Sequence, residues 1–223
     1  MKVLELFAGS KSIGKVAEAR GHEVFSTDIN DFEGIDLVKD VLDIQREDIP
    51  FVPDMIWASP PCTYFSVASI GKHWKKDHTP KTDHARLGIK VMKKTLEIIS
   101  WFPDAIYYME NPRGKMRKVI DQSLPKTTVW YCKYGDIRAK PTDIWSNNIK
   151  TEENPGNTWT PRPQCKNGNP DCHHQPAPRG SRTGTQGLKG NYERSIVPEQ
   201  LCEEVIEASE YALDVENYFN FLQ

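Results

Sequence analysis

Four short apolar runs in this chain each stop at residues that a buried strand has no use for. "KVLELF" runs into "AGS", "HEVFST" stops at Asp28, "DMIWA" opens into "SPPC", and "AIYYM" closes on "ENP". Between the runs lie segments of helical periodicity. "KSIGKVAEARG" carries Ile13, Val16 and Ala17 at helical spacing, and "DHARLGIKVMKKTLEIISWF" puts Ile89, Met92, Leu96 and Ile99 on one face. Strand, turn and helix repeated in this way predict βαβ units with right-handed crossovers, and so an α/β fold with a doubly wound, mostly parallel sheet. Further strands are expected at "TTVWYCKYG" and "PTDIWSN". Ligands of such a sheet bind beyond the carboxyl ends of its strands, which is where the four unusual endings fall.

A chain of 223 residues holds one domain, or one domain with a small appendage, around a sizeable core. The expected division is a core over 1–147, a loop-rich insert over 148–192 where Pro, Gly, Asn, Ser and Arg replace aliphatics, and a C-terminal helix over 193–223 that returns to the core. No apolar run is long enough to span a bilayer, and the opening "MKVLELFAGS" is too short and acidic for a signal peptide. The expectation is a cytoplasmic protein with no membrane partner. Five scattered cysteines do not suit a disulfide framework in a reducing compartment, which leaves chemistry or metal for at least one of them.

The net charge of −2 says little, but its distribution says more. From Phe65 to Lys94 there are eight Lys/Arg against two Asp, with His73, His78 and His84 among them, whereas Pro198 to Gln223 holds seven acids and no Lys or Arg. Such a dipolar chain suits an anionic partner approaching one face, although solvated helix faces would give the same pattern.

Each strand ending has a chemical use and a plainer one. Gly9 and Gly14 flank a helix N-terminus where backbone N–H groups can hold a ligand closely, yet a strand-to-helix turn needs glycine for its own geometry. Ser10 or Ser12 can cap that helix, and Gly21 can end it. Asp28 is placed like an acid that binds the ribose of a nucleoside cofactor, and equally like a turn aspartate. Cys62 follows Pro60 and Pro61, which fix the backbone; helix N–H groups and the basic neighbourhood are expected to lower its pKa toward a nucleophilic thiolate. An inert cysteine more commonly sits inside a strand or helix. Glu110 could hold or release a proton in an apolar pocket, or simply cap a helix or join an ion pair.

Taken together, "ELFAGSKSIG", "SPPCTYFS" and "MENPRGKMR" resemble the cofactor loop, the Pro-Cys nucleophile loop and the Glu-Asn motif of the cytosine-C5 DNA methyltransferases, in that family's order. The chain is similar to a small phage- or bacterial-type member with a reduced recognition region. The resemblance implies a Rossmann-like methyltransferase fold that uses S-adenosylmethionine. It implies a cofactor pocket of Phe7, Ala8, Gly9, Ser10, Gly14, Ile29, Val41, Pro60 and Ser195, with Asp28 on the ribose and Asp40 on the adenine. Cys62, Glu110 and Arg138 are implied as catalytic, and Ser66, Asn111 and Lys140 as contacts to nucleic acid. "YGDIRAK" and "RSIVPEQL" resemble the family's later Tyr-Gly and closing motifs. Three departures stand out: Glu-Asn-Pro replaces Glu-Asn-Val, Gln-x-Arg-x-Arg is reduced to Arg138 and Lys140, and Ser195 stands where asparagine is usual.

The implied reaction adds the Cys62 thiolate to C6 of cytosine so that C5 can attack the cofactor methyl group, while Glu110 stabilises the protonated ring. The implied partner is DNA, as a duplex with a flipped cytosine or as a single strand. The same chemistry on RNA or a free cytosine nucleotide, or an idle DNA-binding homologue, are the alternatives. Lys72 to Lys94, above all Lys75 and Lys76, with Arg162, Arg179 and Arg182, are expected on phosphates. Within the insert, "PQCKNGNPDCHHQP" offers Cys165, Cys172 and His173, with His174 beside them, as ligands for a structural zinc, or else a surface loop with incidental thiols.

Overall fold

The computed structural model describes residues 1–67, 70–176 and 190–221. Seven strands form a single mixed sheet: β1 (Lys2–Leu6), β2 (Glu23–Asp28), β3 (Leu37–Val38), β4 (Met55–Ala58), β5 (Ile106–Pro112), β6 (Lys126–Trp130) and β7 (Pro141–Ser146). Their order is β3-β2-β1-β4-β5-β7-β6, and β7 is the strand that runs antiparallel to both of its neighbours. The fold is thus the expected doubly wound, mostly parallel α/β sheet.

Helices cover both faces, so the central strand β4, Met-Ile-Trp-Ala, is apolar throughout and the strands beside it are apolar over most of their length. Leu4, Leu6, Ile56, Ala58 and Met109 point to one face and pack beneath α3 (Asp83–Ser100). Val3, Met55, Trp57 and Tyr108 point to the other, beneath α1 (Ser12–Ala19) and α5 (Glu199–Phe221). Short helices α2 (Ile70–His73) and α4 (Asn191–Ser195) complete the set. Among the described residues no helix is long and apolar enough to cross a membrane.

Three local expectations change. First, α3 forms where expected, capped by Thr82, but of the four residues that the spacing puts on one face only Met92 and Ile99 are buried. Ile89 and Leu96 sit at the edge of the core while Ala85, Gly88, Val91, Thr95 and Ile98 are buried, because the helix turns its small residues toward the loop after β4. Second, neither Ser10 nor Ser12 caps α1. The carboxylate of Glu5, inside β1, accepts from the N–H groups of Ile13 (3.1 Å) and Gly14 (3.0 Å), and Ser12 Oγ instead accepts from Val197 N (3.1 Å). Gly21, at φ +83°, ends the helix as expected. Third, the start of the insert joins the core: Trp159 is fully buried edge-on to Tyr108 at 5.5 Å, and its Nε1 donates to Glu204 of α5 (3.1 Å).

Candidate active site

The turn after β1 holds Phe7 (φ 59°), Gly9 (φ 47°) and Lys11 (φ 51°) in the left-handed region. Two of these are not glycine, and such conformations persist where the surrounding structure fixes them. Gly9 N donates to Asp28 Oδ2 (3.1 Å), and Asp28 Oδ1 accepts from Asn30 N (2.9 Å), so one carboxylate ties the ends of β1 and β2 together. Gly14 leaves room for the Glu5 carboxylate: a Cβ there would lie 2.6 Å from Oε2, and the carboxylate would have to shift. Burial raises the Glu5 pKa to about 7 even though two backbone N–H groups favour its charged form. A cavity at this end of the sheet is lined by Glu5, Phe7, Ala8, Ser10, Ser59 and Ser195, among others. Four of those were expected around the cofactor; Glu5 was not, and its signal was an acid in the middle of an apolar run. Ile29 is exposed, Asp40 caps the turn Val41–Asp43 through Leu42 N (2.9 Å), and Val41 is buried; none of the three lines the cavity.

The loop after β4 carries Cys62 on a single 3-10 turn, Cys62–Tyr64. Three contacts fix it. Pro60 is buried and its carbonyl accepts from Asn111 Nδ2 (2.8 Å); Phe65 stacks on Trp74 at 5.9 Å and its carbonyl accepts from Lys115 N (2.8 Å); Tyr64 lies against α3 at Gly88, where a Cβ would come within 2.4 Å of Tyr64 Cβ. Gly114 allows the second contact, since a Cβ there would lie 2.4 Å from the Phe65 carbonyl. Asn111, expected at nucleic acid, is 1% exposed and sits under this turn as a positioning residue.

Glu110 is buried at the end of β5, accepting from Tyr131 Oη (3.1 Å) and bonded to Ser59. Burial raises its pKa, and Lys140, Tyr131 and Ser59 oppose the rise. Cys62 is exposed on this turn, yet the protein around it still strips water from the thiol. Burial and then Glu110 push the thiol up, with Lys140 and Arg194 pulling the other way. The expected lowering is therefore overturned: the lysines of the basic run are not the charges that surround the sulfur. Lys140 is itself held low by burial, offset chiefly by Glu110. Arg138 is 5% exposed and pairs with Asp136, donating also to the carbonyls of Arg194 (3.3 Å) and Ile196 (3.1 Å). Of the two basic residues in "YGDIRAK", Lys140 is the one within electrostatic reach of both Cys62 and Glu110, and Arg138 fastens the chain before α5.

Lys75 and Lys76 are exposed on a turn bridged by Trp74 and Pro80, and Trp74 Nε1 donates to the Tyr64 carbonyl (3.0 Å). The basic turn is thereby joined to the Cys62 loop, with Ser66 half-buried between them. Arg162, expected on phosphate, instead binds Glu204 (2.8 Å), Gln200 (2.7 Å) and the Lys133 carbonyl (2.8 Å). Arg179 and Arg182 lie outside the described residues. His173 is corrected as a metal ligand: its Nε2 meets the Asp136 carbonyl (3.0 Å), whereas His174 and Cys132 converge with Cys165 and Cys172.

No family model matches the chain. Two solved structures resemble it at TM-scores of 0.45 and 0.42: an E. coli prophage-encoded protein described as a DNA modification methyltransferase, 13% identical, and a mutant of Spodoptera frugiperda DNMT2, 17% identical. They align with 75% and 78% of this chain, which spans 52% and 57% of their lengths. A protein of Frog virus 3 (isolate Goorha) named "Probable DNA (cytosine-5)-methyltransferase" is 30% identical over 154 residues, covering 66% of this chain and 71% of the viral one. With that much of the viral protein matched at that identity, the chain belongs to the DNA (cytosine-5)-methyltransferase family.

Proposed function

We propose that this protein transfers a methyl group from S-adenosylmethionine to C5 of cytosine in DNA through a covalent bond between Cys62 and C6. The observation that carries the reading is the pairing of a thiol on a well-fixed turn with a buried glutamate whose pKa burial raises, near a cavity at the carboxyl end of β1.

The cofactor would lie at this end of the sheet, where Ser10, Ser59 and Ser195 offer hydroxyls to the cavity and Phe7 of the left-handed turn lines it, with Asp28 at the end of β2 as the acceptor for ribose hydroxyls. When bound, the cofactor supplies an electrophilic methyl group. Cytosine C5 is a weak nucleophile, and Cys62 adding as thiolate to C6 pushes an electron pair toward C5. Glu110, favoured in its protonated form by burial, donates to N3 and neutralises the charge that develops there. Loss of the C5 proton then returns the electron pair that expels Cys62. A stacked cytosine offers no approach to C6, so the base must leave the duplex or come from a single strand.

The deciding assay supplies labelled cofactor with duplex DNA, single-stranded DNA, RNA and cytidine nucleotides side by side. Methylation of DNA is expected, and Cys62→Ser should abolish it while cofactor binding survives. Label in RNA or free nucleotide alone would reassign the substrate, and a serine variant keeping more than a few per cent of the rate, roughly what an unactivated alcohol cannot supply, would remove the covalent step.

A further inference from the structure

Four ligand atoms from two distant parts of the chain meet where the insert touches the core. The sulfurs of Cys132, Cys165 and Cys172 and a ring nitrogen of His174 all lie within 4.8 Å of one another, and Cys165 Sγ stands 3.8 Å from His174 Nδ1. A tetrahedral zinc with bonds of about 2.0–2.3 Å has ligand–ligand edges of roughly 3.5–3.8 Å, so a small contraction would close the set. Cys132 is buried on the 3-10 turn Tyr131–Tyr134 that follows β6, packed with Trp130 and Ala139. The other three belong to a segment in which the described residues form no helix or strand before α4. Apolar packing accounts for a buried cysteine, but it does not account for a buried histidine nitrogen turned onto three sulfurs.

The surroundings support the donor atoms. Asn169 Nδ2 points at Cys165 Sγ from 3.6 Å, and Asn169 O accepts from Cys172 N (3.3 Å), so one residue orders both ligating turns. Neighbouring residues of the insert are fastened to the same part of the core, through His173 to the Asp136 carbonyl and Gln175 N to the Ile137 carbonyl (2.9 Å).

We propose that Cys132, Cys165, Cys172 and His174 bind one structural Zn2+ that pins the insert to the turn carrying Tyr131. Three thiols and an imidazole form a closed, soft donor set that suits zinc and leaves no position for substrate. Tyr131 bonds Glu110, so the metal would brace one wall of the base pocket without touching the reaction. The site stands independently of the methyltransferase reading, because metal content is measured without activity.

Elemental analysis of the full chain, purified under reducing conditions from zinc-supplemented cells, should return about one zinc per chain. Its X-ray absorption spectrum should show three sulfur and one nitrogen neighbours. Cys132→Ser, Cys172→Ser and His174→Ala should each fall below ~0.3 equivalents, as loss of one of four ligands requires, while His173→Ala and Cys202→Ala keep full occupancy. Wild-type protein that stays metal-free after incubation with Zn2+, that carries iron, or that joins any two of Cys132, Cys165 and Cys172 in a disulfide would overturn the site. So would loss of zinc in His173→Ala with retention in His174→Ala. Should the serine variants fail to fold, the wild-type spectrum decides alone.

Discussion

The Glu110 carboxylate, buried at the end of β5, makes the charged state of the exposed Cys62 harder to reach. The thiol is held up first by burial and second by the Glu110 carboxylate, and Lys140 partly offsets both. Glu110→Gln removes the negative neighbour, so its Cys62 should alkylate with iodoacetamide along a rate–pH profile displaced to lower pH, several-fold faster on the rising limb. The sign depends on Glu110's own ionisation. Below its raised pKa it is neutral in the wild type, and the two profiles coincide; above it the carboxylate is charged, and they separate. Lys140→Met should displace the profile the other way. Peptide mass spectrometry assigns the label to Cys62, since Cys165 and Cys172 are also accessible. Profiles that move in neither variant would show that the sulfur senses neither group. Both residues of this pair were legible as chemistry at strand ends, but the direction of the thiol's shift was not. Counting lysines along a chain cannot reveal which charges face a sulfur or how much water has been stripped from it.

The elements that aim Cys62 are small residues on neighbouring segments. Gly88 puts α3 within van der Waals contact of Tyr64, and an added methyl group would come within 2.4 Å of a β-carbon that has no rotamer to escape into. Gly88→Ala must therefore displace either the helix or the 3-10 turn. Overpacking of this kind costs roughly 1–3 kcal/mol, and a shift of about an ångström at a nucleophile can lower a rate ~100-fold. The expected outcome is a fall in kcat of between ~10-fold and ~100-fold with cofactor affinity nearly unchanged, because the β1 turn is not touched. Single-turnover methylation together with calorimetry checks it, and a normal rate would mean that the turn is not held from that side. Helical spacing alone placed α3 and put Ile89 and Leu96 on its apolar face, where both are only partly buried. A helix packed against a loop as well as a sheet buries glycine and alanine there, and periodicity of large residues does not register them. The Glu5 cap on α1 and the Cys132 ligand escaped for a related reason: each acts on residues brought to it by the crossover or the sheet, not by the chain beside it.

At the scale of the whole molecule the charge asymmetry of the sequence becomes a difference between two sides of the sheet. Three acids of α5 face α1 and the insert: Glu207 and Glu210 pair with Arg20, and Glu204 pairs with Arg162. The basic run lies with α3 across the sheet, and parts of it are already paired, Arg86 with Asp83 and Lys94 with Glu97. Lys75 and Lys76 are exposed, make no ion pair among the described residues, and stand on the turn tied to the Cys62 loop through Trp74. We propose that they meet phosphates of DNA presented to Cys62. Each phosphate left without its lysine should reduce the slope of log affinity against log salt by about 0.9 on duplex DNA, so Lys75→Ala with Lys76→Ala should flatten it by up to ~2. Affinity should fall at low salt with little change in which sequences are methylated, since phosphate-binding lysines position the duplex without reading it. Lys15→Ala, on the exposed side of α1, should leave the slope as it is. A slope unchanged in the double variant, or equally reduced by Lys15→Ala, would mean that DNA does not approach across the Cys62 loop, and the orientation of the duplex on the sheet would have to be reversed.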